Sequence, residues 1–161
     1  MRRFIAAALT AFALPAAAQA VPATDYTDLW YLPSESGWGV SFAQHAGTNQ
    51  VFAVWFTYDP REPDPAQPGR FKPLWIVMPG GTWTTPTSIQ GTAYVTNGDP
   101  FTQGGAKTDI EPVGTFLFEF SGTANGRFTY QISAPAGLAP SDPRFGLPSF
   151  SGTKSITRQG F

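Results

Sequence analysis

From residue 22 onward the chain alternates apolar and polar residues in short stretches punctuated by glycine, proline and asparagine, which predicts β-strands rather than helices. Trp38, Val40 and Phe42 alternate with Gly39, Ser41 and Ala43, and a Gly47-Thr48-Asn49 turn leads into the apolar run Val51 to Tyr58, so a hairpin is expected. The second arm is apolar at both parities, which predicts a central strand with a core face and a covered outer face. Leu74 to Met78 forms another strand ended by Pro79-Gly80-Gly81, and Ile89 to Thr96 one ended by Asn97-Gly98. Phe116, Phe118 and Phe120 precede Asn125-Gly126, a pair suited to a tight turn, and then Phe128, Tyr130 and Ile132. Pro60 to Gly69 and Ala134 to Pro148 are rich in proline and are expected to be long loops. The final strand, Gly152 to Gln159, has Ile156 as its one sizeable apolar residue, as suits an edge or a ring-closing position.

Short strands at this spacing imply an all-β fold, either a small antiparallel up-and-down β-barrel or a β-sandwich. The barrel is favoured by Leu29-Trp30-Tyr31 near one end and Arg158 near the other. That arrangement resembles the first-strand tryptophan and last-strand arginine of calycin barrels, with Asp28 where those barrels carry a glycine.

The first twenty residues are of another kind. Arg2 and Arg3 precede an apolar run from Phe4 to Leu14, and Ala18-Gln19-Ala20 forms a small-x-small cleavage site. The run is too short to span a bilayer and Pro15 breaks it, so residues 1–20 are expected to be a removable signal peptide and 21–161 a single all-β domain. The expected location is periplasmic or extracellular, without stable membrane insertion. The chain has no cysteine, which excludes a lipid-modified cysteine after the cut, disulfides, thiolate metal sites and a cysteine nucleophile. Of ten basic and eleven acidic residues, removal of Arg2 and Arg3 leaves eight against eleven, a formal charge of −3 without like-charge runs, which argues against nucleic acid.

Three segments carry a family resemblance. Glu35-Ser36-Gly37-Trp38-Gly39-Val40, Trp55-Phe56-Thr57-Tyr58-Asp59 and Pro73-Leu74-Trp75-Ile76-Val77-Met78-Pro79-Gly80-Gly81, followed at the end by Ile156-Thr157-Arg158-Gln159, resemble an uncharacterised domain of Gram-negative secreted proteins. The resemblance covers nearly all of 21–161. It implies an accessory or binding role and supplies no catalytic residues. The chain departs from that pattern at Pro60 to Lys72 and at Ala134 to Ser149.

Candidate chemistry is sparse. His45, the one histidine, adjoins a turn without a nucleophile elbow, so it is expected at the surface, and neither a catalytic triad nor a zinc site is expected. Glu35, Glu111 and Glu119 are the carboxylates to weigh for glycoside hydrolysis, and Asp59, Glu62 and Asp64 for calcium, though Pro60 and Pro63 interrupt the latter. Five tryptophans dominate the remaining signal. Trp55 and Trp75 are expected in the core, whereas Trp38 and Trp83, beside glycine-containing turns, are expected to line a pocket with Glu35. A membrane-spanning barrel ending in Phe161 is disfavoured by the polar row Gln159, Thr157, Ser155 and Thr153.

The leading expectation is therefore a non-catalytic binding module, without cofactor or metal, for a small ligand, glycan or peptide held near Glu35, Trp38 and Trp83. The alternatives are an inhibitor of an exported protease acting through Pro60 to Gly69, and a carboxylate-dependent hydrolase.

Overall fold

The computed structural model describes residues 22–63, 66, 69–104 and 108–160, so the expected signal peptide lies outside the described residues. Nine strands follow in order: β1 (Asp28–Tyr31), β2 (Gly39–Gln44), β3 (Val51–Pro63), β4 (Phe71–Met78), β5 (Thr82–Thr85), β6 (Ser88–Gly98), β7 (Thr108–Ser121), β8 (Asn125–Ile132) and β9 (Phe150–Arg158). They form one antiparallel up-and-down sheet, ordered β4-β3-β2-β1-β9-β8-β7-β6-β5, which a β4–β6 pairing closes into a ring. There is one sheet rather than two stacked layers, so the sandwich alternative does not describe this chain.

β4 and β5 share the neighbour β6. Ile76 and Val77 pair with Val95 and Tyr94, and after Pro79-Gly80-Gly81 the pairing resumes one residue out of step, with Thr82 and Trp83 opposite Gln90 and Ile89. The two are thus one long strand broken by a proline-glycine kink, and the ring has eight staves. Glycine is required there: a Cβ on Gly91 would lie 2.5 Å from the Gly80 carbonyl oxygen, and Gly80 has φ +135°.

Side chains alternate about the ring. Val40 and Phe42, Val51, Ala53 and Trp55, Ile76 and Met78, Trp83, Ile89, Ala93 and Val95, Phe116, Phe118 and Phe120, Phe128, Ile132 and Ile156 all point inward and are buried. No buried polar or charged residue is found among those described, and the interior is filled by aromatic rings, Phe118 and Phe128 stacking at 4.8 Å. Each fully buried ring of this kind contributes about 1.5–3 kcal/mol. β7 changes parity between Val113 and Phe116, both inward, because a bulge shifts the β6–β7 register between Ala93 and Tyr94.

Several expectations need correction. Asn125-Gly126 is not the turn: both residues lie in β8, opposite Ser121 and Phe120, and the turn is Gly122-Thr123-Ala124 with Gly122 at φ +74°. Gly126 serves instead to admit the neighbouring strand, since a Cβ there would approach the Glu119 carbonyl to 2.9 Å. Pro60 to Gly69 is not wholly a loop, because residues 60–63 continue β3 and Pro63 pairs with Phe71. The outer face of β3 is not covered either: Phe52, Phe56 and Tyr58 are exposed. β5 and the first half of β7 went unanticipated.

Residues 133–149 are irregular, as expected, and Leu147 is buried against the core. Two arginines anchor this loop. Arg61 is held by Asp59 and donates to the carbonyls of Pro143 (2.9 Å) and Phe145 (3.1 Å), while Arg144 bridges Asp142 and Glu111 at 2.7 and 2.9 Å. Burial pushes the Asp59 carboxyl up, but the hydrogen bonds from Arg61 outweigh it and leave it low. Hydrogen bonding from Arg144 takes the Asp142 carboxyl down to about 2.

Candidate functional site

Above Tyr31, β9 has no strand partner on its β1 side, because β1 pairs with it only through Trp30–Arg158 and Tyr31–Thr157. The segment 32–38 fills that gap. A tight turn, in which the Glu35 amide donates to the Leu32 carbonyl at 3.0 Å, brings Glu35 back towards β9. Lys154, on the inward parity of β9, donates to both carboxylate oxygens of Glu35 at 2.8 and 2.9 Å, and the Trp38 indole N–H donates to the second at 2.9 Å. Trp38 also packs against Phe128, with ring centroids 6.5 Å apart. The structure therefore does bring Glu35 and Trp38 together, and adds Lys154, which the sequence reading missed.

Hydrogen bonds from Lys154 first, and then Trp38, hold the Glu35 carboxyl below its ordinary range, and Glu35 in turn raises Lys154. A carboxylate kept ionised with both oxygens engaged cannot donate a proton at neutral pH. The other two carboxylates weighed for hydrolysis have cations of their own, Glu111 with Arg144 and Glu119 with Arg127. Asp59 is taken by Arg61, the Glu62 side chain and Asp64 lie outside the described residues, and no group of three potential metal ligands occurs among those described.

Two tryptophans lie opposite to expectation. Trp83, expected in a pocket, is 2% exposed, and its N–H donates to the carbonyl of the half-buried turn residue Asn49 at 2.9 Å. Trp75, expected in the core, is 60% exposed. Its neighbours Leu74, Ile76 and Met78 face the core side, so Trp75 must point outward. Trp55 is buried as expected, and its indole N–H has no hydrogen-bond partner among the described residues.

Trp75 belongs to a continuous outer face across β1 to β4. Phe56 is its register partner, the rings 5.9 Å apart and near-perpendicular, and Tyr58 pairs with Pro73 and Val54 with Val77. Small residues of β2 run alongside, Gly39 opposite Phe56, Ser41 opposite Val54 and Ala43 opposite Phe52, and Leu29 of β1 lies opposite Ser41. Of nine exposed large hydrophobic residues among those described, six lie on this face: Leu29, Phe52, Phe56, Tyr58, Phe71 and Trp75. None of the described side chains at these outward positions is charged. At the Phe52 end, a depression of about 630 Å³ is lined by residues including His45, Gln50, Phe52, Pro79 and Gly80.

The far side of the ring contrasts with it. Outward residues of β6 to β9 are mostly threonine, serine and glutamine, with Thr129 and Thr153 hydroxyls 2.9 Å apart. No helix among the described residues is long and apolar enough to cross a membrane. Comparison of the chain with protein-family models, with curated proteins and with solved structures returned no match.

Proposed function

We propose that this chain is an exported, non-catalytic binding module on a calycin-like barrel, and that it holds its ligand on the outer aromatic face of β2, β3 and β4. The observation that carries this reading is the six exposed large hydrophobic residues gathered on one face, Trp75 the most exposed among them. Isolated exposed apolar residues need no explanation, but a contiguous patch of this kind marks an interaction surface. The calycin part is supported by Arg158, whose guanidinium lies 5.3 Å over the Trp30 ring and joins the first strand to the last.

Glu35 and Trp38 are, in this reading, closing residues of the ring whose polar atoms are spent on Lys154 and on each other. The ligand is a small molecule, glycan or peptide met outside the ring, because aromatic side chains fill the interior. The inhibitor alternative draws less support, since residues 60–63 are held in a paired strand rather than free to enter a cleft. A screen of small ligands, glycans and peptides by thermal shift tests the proposal, because binding to the native state must raise its stability. The expected result is a saturable shift that Trp75→Ala removes while leaving the unliganded melting temperature nearly unchanged. A shift of the same size in Trp75→Ala would overturn it.

A further inference from the structure

Resting on the binding reading above, we infer that the depression at the Phe52 end of the outer face is a subsite for an uncharged sugar, so that the ligand class is a neutral oligosaccharide lying along β3. The first ground is shape. The depression, about 630 Å³, has the size of a small-ligand site and opens onto the aromatic face through Phe52.

The second ground is its pairing of apolar walls with uncommitted neutral polar groups. Phe52 and Pro79 supply flat apolar surface suited to the C–H face of a pyranose. His45 Nδ1 accepts from the backbone N–H groups of Gly47 and Thr48, both at 3.2 Å, an arrangement that leaves Nε2 to carry an N–H donor. The side-chain amide of Gln50 makes no hydrogen bond to any described residue, unlike that of Gln44, which is committed to the Tyr26 amide and to Asn49. An amide and an imidazole N–H without a described partner offer three N–H donors and a carbonyl acceptor, enough to meet a vicinal pair of hydroxyls.

The third ground is charge. No aspartate, glutamate, lysine or arginine lines the depression, so an anionic or cationic ligand would be desolvated there without a carboxylate, ammonium or guanidinium to pair with. From Phe52 to Tyr58 the strand runs for about 20 Å, room for several sugar rings in line. A peptide would bring backbone N–H and C=O groups that the exposed Phe56 and Trp75 rings could not satisfy.

The test is calorimetric titration of the purified protein with neutral tetrasaccharides of glucose and of N-acetylglucosamine, beside an oligogalacturonate and an unstructured polar peptide as comparators. The expected result is binding of a neutral tetrasaccharide that added salt leaves unchanged, weakened roughly tenfold or more in both Gln50→Ala and Phe52→Ala. Circular dichroism confirms that these exposed-site variants fold. Saccharide binding lost in Trp75→Ala yet untouched by Gln50→Ala and Phe52→Ala would overturn the subsite and leave the binding face standing. Binding of the peptide or the oligogalacturonate in preference to the neutral sugars would overturn the ligand class. Absence of binding by every probe would overturn the sugar inference, leaving the wider ligand screen to decide the binding face.

Discussion

Glu35 and Lys154, 119 positions apart in the chain, meet in a two-pronged ion pair that spans the unpaired flank of β9, and Trp38 donates to the same carboxylate. Both side chains remain about a third or more exposed, so the pair is expected to stabilise the fold only modestly. Lys154→Ala should leave the urea midpoint close to wild type, while the Trp38 indole N–H resonance shifts and exchanges faster with solvent. A Trp38 resonance identical in the two proteins would show that the three side chains do not act together.

Acid should loosen the 133–149 loop. Asp142 has its carboxyl lowered from 3.8 to about 2 by hydrogen bonding from Arg144. A group depressed in the folded state binds protons more readily when unfolded, so its stabilising contribution is complete above the ordinary carboxylate range and is lost as pH falls towards 2. Asp59 and Glu35 are shifted in the same direction and act with the same sign. Amide protection at Leu147 and its neighbours, measured against the intrinsic exchange rate at each pH, should therefore fall between about pH 4 and pH 2 before that of strands β6 to β8. Simultaneous exposure of loop and strands would contradict this order.

Two tryptophans should respond in opposite ways to the same substitution. Trp83→Ala removes a fully buried ring together with its bond to Asn49, and should cost about 3–5 kcal/mol in urea unfolding. Trp75→Ala removes an exposed ring and should cost within about 0.5 kcal/mol. Comparable losses would mean that Trp75 is packed against something in solution.

Gly114 sits where a Cβ would overlap the Gln131 carbonyl oxygen on β8. Because that obstacle is backbone within a paired ladder, Gly114→Ala must displace the bulge of β7 and should cost about 1–3 kcal/mol or more. Gly104→Ala serves as a contrast, since no described atom lies within 4 Å of its Cβ position and the penalty there comes from its positive φ. A larger loss at Gly104 than at Gly114 would remove the steric argument.

The strand rhythm and the ring-closing role of the last strand were readable because alternation has a fixed period of two. What the sequence could not tell was which parity faced inward in runs apolar on both sides. In β4, Lys72 shares parity with Leu74, Ile76 and Met78, so the one charged residue of the strand falls on the inward set and makes Trp75 look buried. The prolines at 73 and 79, which share parity with Trp75, were the contrary signal. Asn125-Gly126 misled for a related reason: the pair suits a tight turn, yet Gly126 was chosen for the close approach of β7. Glu35 and Trp38 were legible as neighbours from their spacing, whereas Lys154 joins them only through the closure of the ring.

The measurement that bears most directly on the binding face is the two-dimensional NMR spectrum of the tryptophan indole N–H groups during titration with a neutral tetrasaccharide. Of the five indoles, that of Trp75 is predicted to move with saturation, together with backbone amides of β3 and β4, while Trp30 and Trp83 stay fixed in the core. Movement of Trp38 with Trp75 unmoved would place the ligand at the seam of the ring and contradict the account.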